Sequence, residues 1–368
     1  MDRLRRLFGG GSEPTHDHAE LEESATGWDA INGAVDPLYP DQEPMHWGTI
    51  VRWRLGGPDP LDGVSAYRAE GPPTHWHYVG YGLSELYDKE SNDPELSGWG
   101  LELTFRLERS PADTDPPIWP ASFLQYLARY IYETGNVLAI GDHMDLNGPL
   151  VQDGPTTIRA VAFTIDPELP EIRTPNGAVC FVQVVGLTED EYEATQDWDT
   201  TGILDLLRSR DPLLVTDLGR ASILADPALA ETVRERTAAD GASMSGIMID
   251  RLAVSSDGAA LVVTMGASGF QRVRRLLVGR LPFGRSFFVR GEGLDLDVQP
   301  GDELAWEAGD DGHFVLRLPD DAAQRILDDV PAIAGTYEPD PRLRLVIERT
   351  SITDQSGQEI GSVGDPSS

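Results

Sequence analysis

The chain has 368 residues, 40% hydrophobic and 25% charged, a globular composition long enough for two domains. Its 29 basic and 62 acidic residues give a net charge of −33, which disfavours nucleic acid and anionic lipid as partners, and no run of about 18 apolar residues offers a membrane-spanning helix. Lys89 is the only lysine and sits in the polar turn Asp88-Lys89-Glu90-Ser91-Asn92-Asp93, which argues against phosphate-loop and lysine Schiff-base enzymes.

Residues 1–24 read as a disordered tail: Arg3, Arg5 and Arg6, then Gly9-Gly10-Gly11, then an acidic stretch. Without an apolar core, this start does not read as a secretory signal. Alternation over 47–54 puts Trp47, Thr49, Val51 and Trp53 on one face of a strand. The cleanest strand pattern follows, where Leu101, Leu103, Phe105 and Leu107 alternate with Glu102, Thr104 and Arg106. Pro120 opens a helix with the stripe Phe123, Leu127 and Ile131, and Gly135 closes it. Segments 158–165 and 178–186 are more continuously apolar and read as central strands. Thr188 and Glu191 have the spacing of a capping box. Asp226-Pro227 pairs an N-cap with proline at the first helical position, ahead of a helix over 228–237.

Over 238–245 the composition turns small and polar, which marks a domain boundary. Residues 241–368 hold 20 acidic and 12 basic residues, a net of −8, which leaves −25 for residues 1–240. Strands are predicted over 260–265, 273–281, 285–290, 313–318 and 342–349. One helix over 321–330 presents Ala322, Ile326 and Val330. Residues 353–368 read as a second disordered tail. The fold class is therefore α+β (mixed α/β). Domains are expected at 25–240 and 241–352, each a mixed β-sheet packed with helices, with a cleft between them.

Few residues point to chemistry. His75 and His77, two apart on a strand, face one side and would reach one zinc. No third ligand follows at motif spacing, so both read as polar residues flanking an inward Trp76. Gly141-Asp142-His143 pairs a carboxylate with an imidazole, but no serine elbow accompanies it. Gly56-Gly57-Pro58-Asp59-Pro60 is a turn, and Gly98-x-Gly100 lacks the third glycine of a dinucleotide loop. Asp295, Asp297, Asp302 and Glu303 read as a solvated acidic loop without calcium-loop spacing. Cys180, the only cysteine, reads as a buried small hydrophobe and fits a reducing cytoplasm. Trp28, Trp47, Trp53, Trp76, Trp99 and Trp119 read mostly as core. No cofactor, no metal and no catalytic constellation is expected. The residues describe a binding protein rather than an enzyme.

Several stretches resemble the Suppressor of fused (SUFU) family. They are Leu38-Tyr39-Pro40-Asp41-Gln42, Trp53-Arg54-Leu55-Gly56-Gly57-Pro58-Asp59-Pro60-Leu61-Asp62, His75-Trp76-His77-Tyr78, Tyr81-Gly82-Leu83-Ser84-Glu85-Leu86-Tyr87 and Gly100-Leu101-Glu102-Leu103-Thr104-Phe105-Arg106-Leu107. The likeness runs on through Trp119-Pro120, Leu127-Ala128-Arg129-Tyr130, Gly141-Asp142-His143 and Gly202-Ile203-Leu204-Asp205-Leu206-Leu207-Arg208, covering roughly residues 28–248. Beyond it, Leu277-Val278-Gly279-Arg280-Leu281-Pro282-Phe283-Gly284-Arg285-Ser286-Phe287 is similar to the C-terminal domain of family members.

The resemblance implies a clamp. In animals the family restrains Gli-type transcription factors by taking a short peptide as a β-strand between two domains, a mode in which backbone hydrogen bonds give affinity and pockets give specificity. Matched residue by residue, it implies peptide contacts at Tyr130, Asp142, His143, Ile247, Met248, Ile249 and Leu252. The long insert of animal members is missing here, because Met248 runs directly to Leu252. The arginine-rich, lysine-poor composition looks bacterial. Bacterial SUFU-like proteins are thought of as cytoplasmic immunity proteins that neutralise toxins. The leading expectation is such an inhibitor, with a protein or peptide partner such as a basic toxin, and with neither nucleic acid nor membrane. The alternatives are sequestration of an endogenous protein and a metal-dependent enzyme using His75, His77, His143 and Asp142.

Overall fold

In the computed structural model, residues 25–51, 53, 56–152, 154–256, 258–353 and 359–365 are described. The tail expected over 1–24 lies outside them. In chain order the first elements are α1 (Thr26–Val35), β1 (Met45–Gly48), β2 (Gly63–Ala69), β3 (His75–Tyr81), β4 (Leu96–Glu108), α2 (Trp119–Thr134), β5 (His143–Asp145), β6 (Ile158–Ile165), β7 (Ile172–Thr174) and β8 (Gly177–Thr188). They are followed by α3 (Glu189–Asp197), α4 (Thr200–Arg208) and α5 (Pro227–Asp240). Two compact units result. One takes in the chain up to Ile140 with Phe163–Val185 and Leu213–Asp217, and the other takes Gly141–Ala162, Gly186–Pro212 and the chain from Leu218. The sequence places one boundary near residue 240, whereas these units interleave, because β6 and β8 each run from one into the other.

In the first unit β1, β2, β3 and β4 pair antiparallel in chain order, β8 joins β4 in parallel, and β7 pairs with β8. Helix α2 packs on β2, β3 and β4 through buried Leu124, Leu127, Ala128 and Ile131. It stops at Gly135, whose φ of 71° places its N–H on the Ile131 carbonyl. Helix α1 buries Ile31 and Val35 against Tyr67, Val79, Tyr81 and Phe181. After β3 the chain turns at Gly82, where φ is 134° and a Cβ would lie within 2.9 Å of backbone atoms of Pro60, Leu61 and Asp62, so only glycine fits.

Three sequence expectations change here. The strand expected over 47–54 ends at Gly48, because Thr49 turns its hydroxyl onto the Leu61 carbonyl at 2.6 Å and Ile50 is fully exposed. Of the six tryptophans expected mostly in the core, Trp76 alone is buried. The others rest half-covered on neighbouring rings, such as Trp28 stacked on Tyr81 at 4.3 Å, or are exposed, as Trp53 is. Such amphipathic rings keep an edge in water. Cys180 is half-buried rather than buried.

The polar face of β4 is not a solvent face. Glu102, Thr104 and Arg106 are all fully buried, as are Leu103 and Phe105 opposite. The Glu102 carboxylate accepts from Gly82 N at 2.9 Å, Ser84 N at 3.0 Å and Ser84 Oγ at 2.6 Å, and so holds the turn after β3. Arg106 donates to Asp166 Oδ2 at 2.7 Å, Asp166 Oδ1 at 3.0 Å, Gln183 Oε1 at 2.5 Å and Glu168 Oε2 at 3.0 Å. Alternation announces two faces, and here both are dry.

The second unit holds β9 (Gly246–Met248), β10 (Leu252–Ser256), β11 (Leu261–Gly266), α6 (Ala267–Gly279), β12 (Phe287–Gly291), β13 (Leu294–Pro300), β14 (Ala305–Ala308), β15 (His313–Leu318), α7 (Asp320–Asp329), β16 (Gly335–Asp340), β17 (Leu343–Glu348), β18 (Thr350–Thr353) and β19 (Glu359–Val363). Its sheets run β10-β11-β17-β16 and β14-β15-β13-β12-β9, and β18 pairs with β19. One core joins both larger sheets to α6 and α7. The strand predicted over 273–281 is instead mostly part of α6: Phe270, Val273, Leu276 and Leu277 are buried at helical spacing. Asp295 and Asp297 lie on β13 rather than in a loop, within 3.4 Å of Arg290 and 3.1 Å of His313. Within the stretch expected to be a disordered tail, β19 forms by pairing antiparallel with β18, and Arg349 reaches both Glu359 and Asp365 beside it.

Candidate functional site: two open strand edges

Among the edge strands of the second unit, which include β10, β14 and β16, are the two three-residue strands β5 and β9. β5 ends its sheet and pairs with β6, His143 opposite Ala162 and Asp145 opposite Ala160. Leu146 N donates to Arg159 O at 3.2 Å, so hydrogen-bonded pairing falls at Leu146 and Met144. The backbone groups of His143 and Asp145 therefore face the open edge. β9 pairs in parallel with β12 on one side only. Phe288 N donates to Ser245 O at 3.0 Å and Ile249 N to Arg290 O at 2.8 Å. Residues 245, 247 and 249 thus face β12, and the N–H and C=O of Gly246 and Met248 point away.

A pair of helices supports these edges. β5 packs on α3, α3 on α6, and α6 on β9. Helix α3 starts at the capping box that the sequence announced, with Thr188 N donating to Glu191 Oε2 at 3.0 Å. Glu191 is fully buried and also takes Arg220 at 2.5 and 2.6 Å and Ile223 N at 2.8 Å. Arg275 of α6 ties the helices together by bridging Asp197 at 3.0 Å and Glu193 at 3.4 Å on α3.

His143 is fixed from two sides. Its Nδ1 is 2.9 Å from Thr200 Oγ1, and its ring meets Tyr192 edge-on at 5.4 Å. Burial lowers its pKa, against the pull of the adjacent Asp142 charge, so the ring is neutral at pH 7. Burial also raises the Tyr192 hydroxyl to about 12, helped by Asp145. Asp142 itself is exposed.

Six of the seven residues named for peptide contact belong to this unit. Ile247, Ile249 and Leu252 bury their side chains in its core, and the backbone groups of Ile247 and Ile249 are turned to β12, so of the β9 residues named only Met248, 68% exposed, faces outward. Tyr130 lies in the other unit on α2, where Asn136 Nδ2 donates to its hydroxyl at 2.7 Å. Sequence reasoning missed Tyr192, Thr200, Arg272 and Arg275. Arg275 was hidden by reading 273–281 as a strand, and Arg272 lies just ahead of that segment. A period of 3.6 through Phe270, Val273 and Leu277 would have shown Arg272 and Arg275 together on another helical face.

The histidines of β3 form no metal centre with each other. His77 Nδ1 is 2.8 Å from the Tyr39 hydroxyl and its Nε2 is 3.3 Å from Asp166 Oδ2, while His75 Nδ1 is 2.8 Å from Pro73 O. No group of three or more His, Cys, Asp or Glu placed to hold a metal occurs among the described residues. No described helix is long and apolar enough to cross a membrane.

This is a mixed α/β protein with strand edges at which the backbone groups of His143, Asp145, Gly246 and Met248 point away from their own sheets. Comparison with known proteins gives the same picture a name. The family model for Suppressor of fused protein matches residues 57–221. The Suppressor of fused homologues of Mus musculus and Homo sapiens are 41% and 40% identical over 238 residues, 60% of this chain and 49% of each homologue. The chain thus spans about half the length of the curated relatives it matches. Drosophila Suppressor of Fused superposes with a TM-score of 0.74 at 24% identity, over 89% of this chain and 97% of that one, a likeness of fold. A chain from a Sufu–Fu complex superposes with a TM-score of 0.54 at 32% identity, over 58% of this chain and 98% of that one. The chain belongs to the Suppressor of fused family.

Proposed function

We propose that this protein binds a peptide segment of another protein by β-strand addition and inhibits it by sequestration. The observation that supports this most is the pair of open edges, β5 and β9, each with outward backbone groups, in one compact unit beside a neutral, immobilised His143 and an exposed Asp142. Strand addition at a free edge gives affinity through main-chain hydrogen bonds without a large pocket. Asp142 would supply a charge-assisted hydrogen bond to a polar group of the partner. Membership of a family in which one relative is seen in complex with Fu supports a protein partner.

The finer reading is an immunity-type inhibitor in a bacterial cytoplasm whose partner is a basic toxin. The net charge of −33 supports it, since opposite charge speeds encounter. Affinity purification from the native host with mass spectrometry is the deciding experiment. A toxin encoded beside this gene, together with rescue of growth on co-expression, supports the immunity reading. Recovery of an endogenous regulator instead would replace it with sequestration of that protein. Purification that yields no protein partner at all would sink the binding reading.

A further inference from the structure

β9 is short, and one of its outward groups is already occupied. Arg272 of α6 donates from Nη2 to the Met248 carbonyl at 2.9 Å. That carbonyl is one of the two that the parallel ladder leaves pointing away from β12. Other arginines near this edge are engaged elsewhere. Arg275 holds Glu193 and Asp197, Arg290 lies 3.4 Å from Asp295, and Arg280 donates to the carbonyls of Ala242, Ser243, Met244 and Ser286. Arg272 has no carboxylate partner among the described residues, and its Nε is buried without a hydrogen-bond acceptor. A guanidinium has five donors in a fixed fork, and this one uses one of them in a chain with a large acidic excess.

A partner strand that pairs with β9 needs the Met248 carbonyl. It must therefore take that acceptor from Arg272 or share it, and the released guanidinium stays at the edge, half-buried, with donors to satisfy. A charged side chain over an open edge also discourages unwanted strand pairing. The group that fits a vacated guanidinium best is a planar carboxylate, which it can bind through two donors.

We propose, resting on the strand-addition reading above, that Arg272 sets the specificity of the β9 edge: it caps the Met248 carbonyl in the free protein and, when a partner strand arrives, pairs with an Asp or Glu side chain of that strand.

The test uses the full chain and a displayed library of random heptapeptides. Peptides that bind are resynthesised in three forms: unchanged, with the acidic residue replaced by its amide, and N-methylated at alternate backbone positions. Each is titrated against wild type, R272A and R272Q. The expected result is an acidic residue at one fixed position of the selected peptides, worth about tenfold in affinity over the amide in wild type and nothing in either variant. Both variants still bind, because the backbone contacts remain. An acid-over-amide preference that survives in R272A and R272Q, or selected peptides with no acidic position, overturns the role of Arg272 while strand addition stands. N-methylated peptides in both alternate registers that bind as well as the unmodified ones, or a library that yields no binder, overturn strand addition itself.

Discussion

The two carboxylate oxygens of Asp166 receive both terminal nitrogens of Arg106, at 2.7 and 3.0 Å, and neither side chain is exposed to solvent. Thr104 Oγ1 donates to the same carboxylate at 2.7 Å. Removing one member strands a charge in the core of the first unit. Asp166→Ala is expected to cost about 3–5 kcal/mol of unfolding free energy. Replacing both charges together by apolar residues of similar volume should recover most of that loss. Urea titration of the single and double variants measures both. A loss below about 1 kcal/mol for the single variant would contradict the assigned burial.

The same cluster makes the fold acid-sensitive. Burial and the Arg106 charge push His77 down to about 4, against the opposing pull of Asp166. Burial alone would raise Asp166, but His77 and the Arg106 guanidinium outweigh it and hold its carboxyl well below the usual carboxylate range. Both folded-state values lie below the unfolded ones. The unfolded chain therefore binds more protons, and stability present above pH 6.5 is lost as pH falls. The His77 share is lost between the unfolded value of 6.5 and the folded value of about 4. The Asp166 share goes only below the ordinary aspartate value of 3.8. Burial raises Glu102 to about 7, so the fold takes up a proton there over the same range and opposes this loss; the His77 share is therefore read as the difference in the pH slope of stability between wild type and variant in chemical denaturation. His77→Gln should lower that slope by about one proton. An unchanged slope in the variant would show that another group carries the effect.

Glu191 links a local sequence signal to the binding region. Its carboxylate caps α3, the helix that carries Tyr192 against His143, and it anchors Arg220. Glu191→Ala is expected to cost about 3–5 kcal/mol, since it leaves a partly buried guanidinium without its charge partner. Glu191→Gln should cost about 1–3 kcal/mol. Thermal melts report the loss, and the His143 ring resonances should shift in both variants. Unmoved resonances would separate the cap from the site.

Asp142 is exposed, so Asp142→Ala should leave the melting temperature within about 1 °C of wild type. Once the partner is in hand, the same substitution should weaken its binding by about 1–3 kcal/mol in calorimetry, if the carboxylate meets a buried polar group. Unchanged affinity would remove Asp142 from the binding surface.

Local signals in the chain were sufficient for much of this structure. The capping box at Thr188 and Glu191, the N-cap at Asp226, the helix stop at Gly135 and the alternation of β4 all depend on contacts within a few residues, and each formed as its spacing implies. The family likeness was also readable, because it rests on ordered runs of residues. Where segments of distant sequence compete for the same space, spacing fails. The helical period of 267–279 was masked by arginines at 272, 274 and 275 that find their acceptors up to 82 residues away. Alternation in β4 showed two faces but not that both are buried, since the groups that dry the polar face, Asp166 and Gln183, lie 60 and 77 residues from Arg106. The capping of the β9 edge was likewise invisible: that Arg272 covers the Met248 carbonyl depends on where α6 packs, a fact set by the core of the whole unit rather than by any neighbouring residue.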